Sequence, residues 1–298
     1  MQLGLIGLGR MGSGMTLRLL QGGHQVMVYD RVPEAGAALA GKGAIVTGSL
    51  EDLGQKLKGP RIFWLMIPAG PPVDDAIQGL SSRLSPGDII IDGGNSNYKD
   101  SIRRAEALRS QQIEFLDVGV SGGIWGLKVG FNLMAGGNQA VFKQVEPILK
   151  TLAPPDGYAY VGPSGAGHYA KMVHNGIEYS MLQSYAEGFE ILKAAPFGFD
   201  LAQLARLWNH GSVIRSWLLE LAQAAFERDP ELSHIRGYVE DSGEGRWTLE
   251  EALEHAVPAP ALAMSLFMRY RSRQDDSFSA KVLAALRNEF GGHPVKAE

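Results

Sequence analysis

Short apolar, β-rich runs alternate with amphipathic stretches through the first half of the chain. Residues 3–6, 25–29, 44–47, 61–67, 88–92 and 114–118 read as strands. The first, fourth and fifth are nearly continuous apolar runs, the pattern of strands covered on both faces in a parallel sheet. Residues 11–21, 33–40, 73–84 and 100–111 read as helices lying between them. Such alternation predicts an α/β fold built on a doubly wound parallel sheet. Residues 131–135 and 158–161 add later strands.

The pattern changes at Gly162-Pro163-Ser164-Gly165. Beyond it almost everything suits helix: a long stretch from His168 to the stop at Pro196, then 201–209, 216–228, 249–256, 260–273 and 279–290. The change places a domain boundary there, with a dinucleotide-type domain over 1–163 and an all-helical domain over 164–298 for substrate binding and dimerisation. Neither an internal repeat nor a low-complexity linker is visible.

Composition narrows the classes. A chain of 298 residues that is 45% hydrophobic and 20% charged can bury two cores and is unlike a disordered segment. The net charge of −4 and the lack of a basic run argue against nucleic-acid binding. With no cysteine, disulfides, thiolate zinc sites and cysteine nucleophiles are excluded together, which suits a reducing cytoplasm. The apolar N-terminus has no charged leader or cleavage site, so it does not read as a signal peptide. No apolar stretch approaches the roughly 20 residues of a membrane span. A soluble, cytoplasmic protein is expected.

Gly7-Leu8-Gly9-Arg10-Met11-Gly12 follows the first strand directly and opens the first helix. In that context a GxGxxG run is the phosphate-binding turn of a Rossmann-type domain. Gly7 permits the tight turn, Gly9 lets backbone approach a pyrophosphate, and Gly12 lets the helix pack on the sheet; the helix N-terminus offers N–H groups to the anion. Asp30 ends the second strand, 18 residues beyond Gly12, where its carboxylate would bind a ribose 2′-hydroxyl and repel a 2′-phosphate. That favours NAD. Arg31 beside it could pair with the phosphate of NADP, so NADP stays open.

The long helix carries Lys171, His174, Asn175 and Glu178, which fall within about a 100° arc of one face. Val173, Ile177, Ser180 and Ser184 fall opposite and are small or apolar enough for burial. A polar cluster with an apolar back predicts a helix buried between the domains, its polar face on a cleft. The plainer alternative is a solvated stripe, but a solvated face would carry more charge, and a His-Asn pair adds nothing to helix stability.

Four segments then resemble one family. Gly165-Ala-Gly-His-Tyr-Ala-Lys-Met-Val-His-Asn-Gly-Ile-Glu-Tyr179 resembles the active-site helix of the decarboxylating 6-phosphogluconate dehydrogenase family, within the β-hydroxyacid dehydrogenases. Ile90-Ile-Asp-Gly-Gly-Asn-Ser96 resembles its loop after the fifth strand, Val120-Ser-Gly-Gly123 its substrate loop, and Arg287-Asn-Glu-Phe-Gly-Gly-His293 its C-terminal arginine–histidine element. The chain is short for the family and looks like the compact bacterial-type form. The resemblance implies oxidation and decarboxylation of 6-phosphogluconate with NAD(P) and no metal. It implies Lys171 as general base, Glu178 as the acid that protonates C1, and His174 and Asn175 as holders of substrate hydroxyls. Asn95, Ser121, Gly122 and Gly123 position the sugar acid, and Asn95 also the nicotinamide. Tyr179, Arg269 and Arg287 grip the phosphate, and His293 closes over the sugar. It further implies a homodimer, or an oligomer built of dimers, in which Arg287 and His293 serve the partner's pocket. A lysine acts as a base only when neutral, which burial or nearby positive charge promotes.

One segment departs from the family pattern. Asp241-Ser-Gly-Glu-Gly-Arg-Trp-Thr248 is shorter than the family's glycine loop and sets Glu244 among the glycines, unfavourably for a phosphate unless the loop sits differently or Arg246 compensates. Two rival readings stay open. One is another β-hydroxyacid dehydrogenase, such as a 3-hydroxyisobutyrate dehydrogenase or tartronate semialdehyde reductase, against which stand the Asp92–Ser96 motif, His174 with Glu178, and Arg287 with His293. The other is a sensor that binds NAD(H) without turnover, against which stands the Lys171/Glu178 pair.

Overall fold

The computed structural model describes residues 1–296, and the chain forms two compact units, Met1–His174 and Asn175–Glu298. The last two residues of the helical domain expected from the sequence, 297 and 298, lie outside the described residues. In the first unit the elements run β1 (Gln2–Ile6), α1 (Arg10–Gln21), β2 (Gln25–Tyr29), α2 (Pro33–Ala40), β3 (Ile45–Val46) and α3 (Leu50–Lys56). They continue through β4 (Ile62–Leu65), α4 (Pro71–Leu80), β5 (Ile89–Asp92), α5 (Tyr98–Arg109) and β6 (Glu114–Ser121). The unit closes with α6 (Gly126–Val129), β7 (Asn132–Gly137), α7 (Gln139–Leu152) and β8 (Tyr158–Gly162). Helix α8 (Ala166–Ala194) follows.

The strands form one sheet in the order β3-β2-β1-β4-β5-β6-β7-β8. Strands β1 to β6 are parallel throughout, as the alternation of runs predicts. Strand β7 departs from the expectation: it pairs antiparallel with β6, and β8 then pairs parallel with β7. The link between β6 and β7 holds only a 3-10 turn and the short α6, too little chain for the crossover that a parallel pairing requires.

Both faces of the sheet are covered, and this explains the continuous apolar runs. Ile89 and Ile91 join a core with Met15, Leu19, Val145 and Leu149 of α1 and α7, while Ile90 between them joins the opposite core with Val73, Leu80 and Leu108 of α4 and α5. Successive side chains of a strand point to opposite faces, so three consecutive isoleucines serve two cores. Besides the one-turn α6, two helices escape the sequence pattern. In α3, Ser49 caps the first turn by accepting from the Asp52 amide. In α7, Pro147 hides a clear stripe of buried Val141, Phe142, Val145, Ile148, Leu149 and Leu152, whose burial outweighs the roughly 3 kcal/mol that an interior proline costs.

In the second unit, the rest of α8 is followed by α9 (Leu201–Trp208), α10 (Trp217–Arg228), α11 (Glu244–Glu254), α12 (Pro260–Ser272) and α13 (Phe278–Gly291). Phe189, Leu201, Ala205, Leu219 and Phe226 form one small core, and Tyr179, Leu262 and Leu266 another. The expected domain of parallel sheet followed by helices is thus present. Helix α11 begins five residues earlier than its apolar periodicity indicates, because Gly243 at φ +101° turns the chain into it and Glu244 occupies the favourable first turn. Among the described residues no helix is long and apolar enough to cross a membrane.

Two features of the first unit fix the elements that matter for the site. The start of α8 lies against bare backbone: a Cβ at Gly167 would collide with the carbonyl oxygens of Asp117 in β6 and Met134 in β7. Helices α4 and α5 are joined by Asp74, which accepts from Arg104 Nε and Nη2 at 3.0 Å each and from Arg103 Nη2 at 3.0 Å. The Arg104 guanidinium foremost, with Arg103, holds the Asp74 carboxyl down at about 2.

Two outcomes follow for stability. Gly167→Ala forces β6, β7 and α8 apart and should cost on the order of 1–3 kcal/mol, read as a lower urea midpoint; an unchanged midpoint would mean the contact is loose. Asp74 has a depressed folded-state value, so its contribution is present above about pH 4 and fades as the pH falls toward 2. The gap in urea midpoint between wild type and Asp74→Asn should therefore narrow from pH 6 to pH 3, and a gap independent of pH would refute this account.

Candidate active site

Within the sheet β1 lies between β2 and β4, so the chain reverses its winding there, and ligands bind open α/β sheets at such a switch point. The loop Gly7-Leu8-Gly9 leaves β1 at this place. No side chain caps the first turn of α1, so its amides are available to an anion. There is open space where a Cβ of Gly9 would stand, whereas a Cβ at Gly12 would strike the Gly7 carbonyl. Arg10 and Met11 open the helix between them.

Asp30, at the end of β2, accepts from the Leu8 amide at 2.6 Å and from the Val32 amide at 2.8 Å. Two backbone donors thus orient the carboxylate toward the glycine turn. Gly7, Gly9, Asp30, Arg31 and Asp75 line one cavity of about 650 Å³. An uncapped helix start, a cradle open at Gly9 and an oriented carboxylate together fit a nicotinamide dinucleotide, with the pyrophosphate on α1 and a ribose on Asp30. Among the described residues no group of three or more His, Asp or Glu side chains could hold a metal ion.

The loop after β5 is held from beneath. Asp92 is fully buried and accepts from the Gly94 amide at 3.0 Å, from Ser96 Oγ at 2.7 Å and from Arg104 Nη1 at 3.4 Å. Arg104 also donates to Ser96 Oγ at 3.2 Å and to the Gly70 carbonyl at 3.0 Å, so one buried guanidinium ties the loops after β4 and β5 together. Asn95 sits at the crest with φ +52°, and its Oδ1 accepts from the Val120 amide at 3.3 Å. That contact brings Asn95 to the start of the loop carrying Ser121, Gly122 and Gly123.

Lys171 is brought to the same neighbourhood by a second buried carboxylate. Asp117, in the interior of β6, accepts from the Gly165 amide at 2.7 Å and from the His168 amide at 2.9 Å, and so caps the N-terminus of α8. Burial pushes the Asp117 carboxyl up, while His168 beside it and these amides pull it back. His168 is itself buried, with Nδ1 at 2.7 Å from Ser101 Oγ of α5. One turn further on, Lys171 packs directly against Gly119, where any Cβ would overlap its own, and is only 4% exposed. Its Nζ lies 3.5 Å from His174 Nδ1. Asn95, Ser121–Gly123, Lys171 and His174 therefore gather where β5, β6 and α8 meet.

The second unit holds the other predicted residues. Asn175 and Glu178 are half-buried on α8. Tyr179 is buried; its hydroxyl accepts from the Ser242 amide at 3.2 Å, and the Arg269 guanidinium stacks 3.4 Å over its ring. Arg269 Nη1 also donates to the Glu240 carbonyl at 2.8 Å. Glu244 does not stand among loop glycines: it opens α11 and accepts from Ser242 Oγ. Arg246 pairs with Asp241 at 3.1 Å, as does Arg273. Arg287 is exposed on α13, and His293 is exposed just beyond it, with its ring against Phe290.

The expected burial of the α8 back face is not found. Ile177 is 58% exposed, Ser184 is exposed, and Ile177, Ser180, Met181 and Ser184 line an open groove with Val213 and Ile214. Among the described residues of this unit none covers the groove. Four supporting residues were given no role in the site from the sequence: Asp75, Arg104, Asp117 and His168. Two carried a signal, since Asp117 interrupts an apolar strand and Arg104 shares a helix face with Ser101 and Leu108.

Comparison with known proteins covers both halves of the chain. Residues 2–162 match the profile of the NAD binding domain of 6-phosphogluconate dehydrogenase, and residues 167–289 match that of the 6-phosphogluconate dehydrogenase C-terminal domain. The chain is 48% identical to the Bacillus subtilis (strain 168) protein YqeC, over 99% of each chain. It is 46% identical to the Haloferax volcanii 6-phosphogluconate dehydrogenase, named NAD(+)-dependent and decarboxylating, over 99% of this chain and 98% of that one. Among solved structures, Plasmodium falciparum 6-phosphogluconate dehydrogenase, known with NADP+ and with 6-phosphogluconate, superposes with a TM-score of 0.85 at 30% identity, covering 100% of this chain and 66% of that one. Matched in both halves and aligned over nearly its whole length, this chain belongs to the 6-phosphogluconate dehydrogenase family.

Proposed function

We propose that this protein oxidises and decarboxylates 6-phospho-D-gluconate to D-ribulose 5-phosphate and carbon dioxide, using NAD, in the cytoplasm and as a homodimer or an oligomer of dimers. The observation that carries the reading is the placement of Lys171: a buried amine beside His174, against the end of β6 where the Asn95 loop and the Ser121–Gly123 loop arrive. A non-catalytic nucleotide sensor has no use for a buried lysine at that place.

The coenzyme, when bound, supplies the hydride acceptor at C3 of the substrate. Lys171 takes the C3 hydroxyl proton. Protonated, it donates a hydrogen bond to the C3 carbonyl oxygen, which draws in the electron pair released as the carboxylate leaves as carbon dioxide. Glu178 lies seven residues along α8, two turns away on the same face, and protonates C1 of the resulting enediol. His174 and Asn175 hold substrate hydroxyls. Asn95, Ser121, Gly122 and Gly123 orient the sugar acid, and Asn95 would also help to hold the nicotinamide.

Tyr179, Arg269 and Arg287 bind the phosphate. Arg269 suits the task because stacking on Tyr179 fixes its plane before any anion arrives. Arg287 and His293 act in the partner's pocket. Helix α13 buries none of its residues, and Phe278, Leu283, Leu286 and Phe290 are all more than half exposed, a face that suits burial against a second copy.

The reaction is tested by following NADH absorbance with 6-phosphogluconate as substrate. Wild type should turn over, and Lys171→Met should lose on the order of 10²- to 10⁴-fold in kcat while still binding NADH. Wild type that binds both ligands without forming NADH, or a Lys171→Met variant near full rate, would overturn the assignment. The shared site is tested by mixing two inactive variants, Lys171→Met and Arg287→Ala. In a mixed dimer one pocket collects both lesions and the other neither, so free exchange should return roughly a quarter of wild-type activity. A mixture that exchanges subunits yet stays inactive rules the sharing out.

A further inference from the structure

The cavity beside the glycine turn holds a charge arrangement that the sequence does not reveal. Its lining includes two carboxylates, Asp30 and Asp75, and a single guanidinium, Arg31. Asp30 is fixed by the Leu8 and Val32 amides at the end of β2. Asp75 comes from the second turn of α4, across the cavity, and its Oδ2 lies 4.0 Å from Arg31 Nη2. The cation next to Asp30 therefore already faces a carboxylate of its own.

We infer that Asp75 is a specificity-determining residue for the coenzyme, acting through Arg31 to deny a 2′-phosphate its cation. The inference rests on the reading of this cavity as a nicotinamide dinucleotide site. An arginine binds phosphate best when its fork is free to make two parallel hydrogen bonds. Arg31 facing Asp75 at 4.0 Å makes no hydrogen bond to it, but its charge is partly offset and its fork is drawn toward the carboxylate. A 2′-phosphate carries about −1.5 to −2 charges, so it must also approach Asp30 and Asp75 together. NAD brings only a hydroxyl to this corner and meets neither penalty.

The magnitude is modest, because Arg31 and Asp75 are both exposed and water screens the pair. Exposed pairs contribute little, and the doubly charged phosphate feels the missing carboxylate in addition. Asp75→Asn keeps the size of the side chain and removes the charge. The neighbouring Asp74 serves the α4–α5 clamp instead and makes no part of the cavity lining.

The test compares kcat/KM for NAD and NADP with 6-phosphogluconate in four proteins: wild type, Asp75→Asn, Arg31→Ala and the double variant. Dissociation constants for NADH and NADPH, read by fluorescence, give the same comparison without turnover. Asp75→Asn should raise the NADP/NAD ratio about five- to tenfold, tenfold being about 1.4 kcal/mol, chiefly through a gain in kcat/KM for NADP. In the Arg31→Ala background the same substitution should move the ratio no more than about twofold, since the cation it acts through is gone. An unchanged ratio in Asp75→Asn overturns the inference, and so does an equal rise with and without Arg31, which would make Asp75 a direct repellent. Wild type that already prefers NADP contradicts the NAD assignment separately, because the change on substituting Asp75 is read against whatever ratio wild type has.

Discussion

The Asp117 carboxylate, set in the middle of a buried strand, accepts the Gly165 and His168 amides at the start of α8. Most of what the first unit offers chemically depends on that contact. A helix N-terminus carries unsatisfied donors and a partial positive charge, and a carboxylate answers both. Burial of a lone carboxylate would be costly, so the pairing is obligatory in both directions: the helix start needs the anion, and the anion needs the helix start. Because Asp117 belongs to β6, the contact also fixes which strand the helix meets and at what height.

Glycines turn that cap into a rigid mount. Gly119, Gly136 and Gly167 let the start of α8 come close to the backbones of β6 and β7, leaving room there only for the Asp117 carboxylate and the Lys171 stem. Lys171 then emerges one turn beyond the cap, its stem trapped against Gly119. A base on a long flexible stem gains from this confinement, since a reacting group held in place has less freedom to lose on the way to the transition state. The antiparallel turn of β7 belongs to the same design: it places the backbone of Met134 and Gly136 beside β6, where the helix start rests.

A second buried ionic group does for the loops what Asp117 does for the helix. Arg104 spans Asp74, Asp92, Ser96 and the Gly70 carbonyl, so the segments after β4 and β5 cannot shift independently. Asn95 can therefore be held in a left-handed conformation that an isolated loop would abandon. Both buried charges are paired and hydrogen-bonded, the condition under which such groups specify a single arrangement. In the second unit, the stack of Arg269 on Tyr179 fixes a planar cation in the same spirit at the surface.

A good deal was legible along the chain. The alternation of apolar runs and amphipathic stretches set the parallel part of the sheet. The glycine turn and Asp30 marked the nucleotide crevice, and the spacing of Lys171, His174, Asn175 and Glu178 put them on one helix face. These are local properties, readable because strand and helix periods are fixed by backbone geometry. The remainder came from packing between distant segments. The direction of β7 depended on the length of a link, and α7 on a buried stripe that outweighed Pro147. The expected burial of Ile177 and its neighbours failed because periodicity gives a face, not a partner to cover it. Asp117, Arg104 and Asp75 owe their roles to groups 48, 12 and 44 positions away along the chain: Gly165, Asp92 and Arg31. Charge pairing across such distances leaves no period in the sequence, since what it depends on is proximity in space.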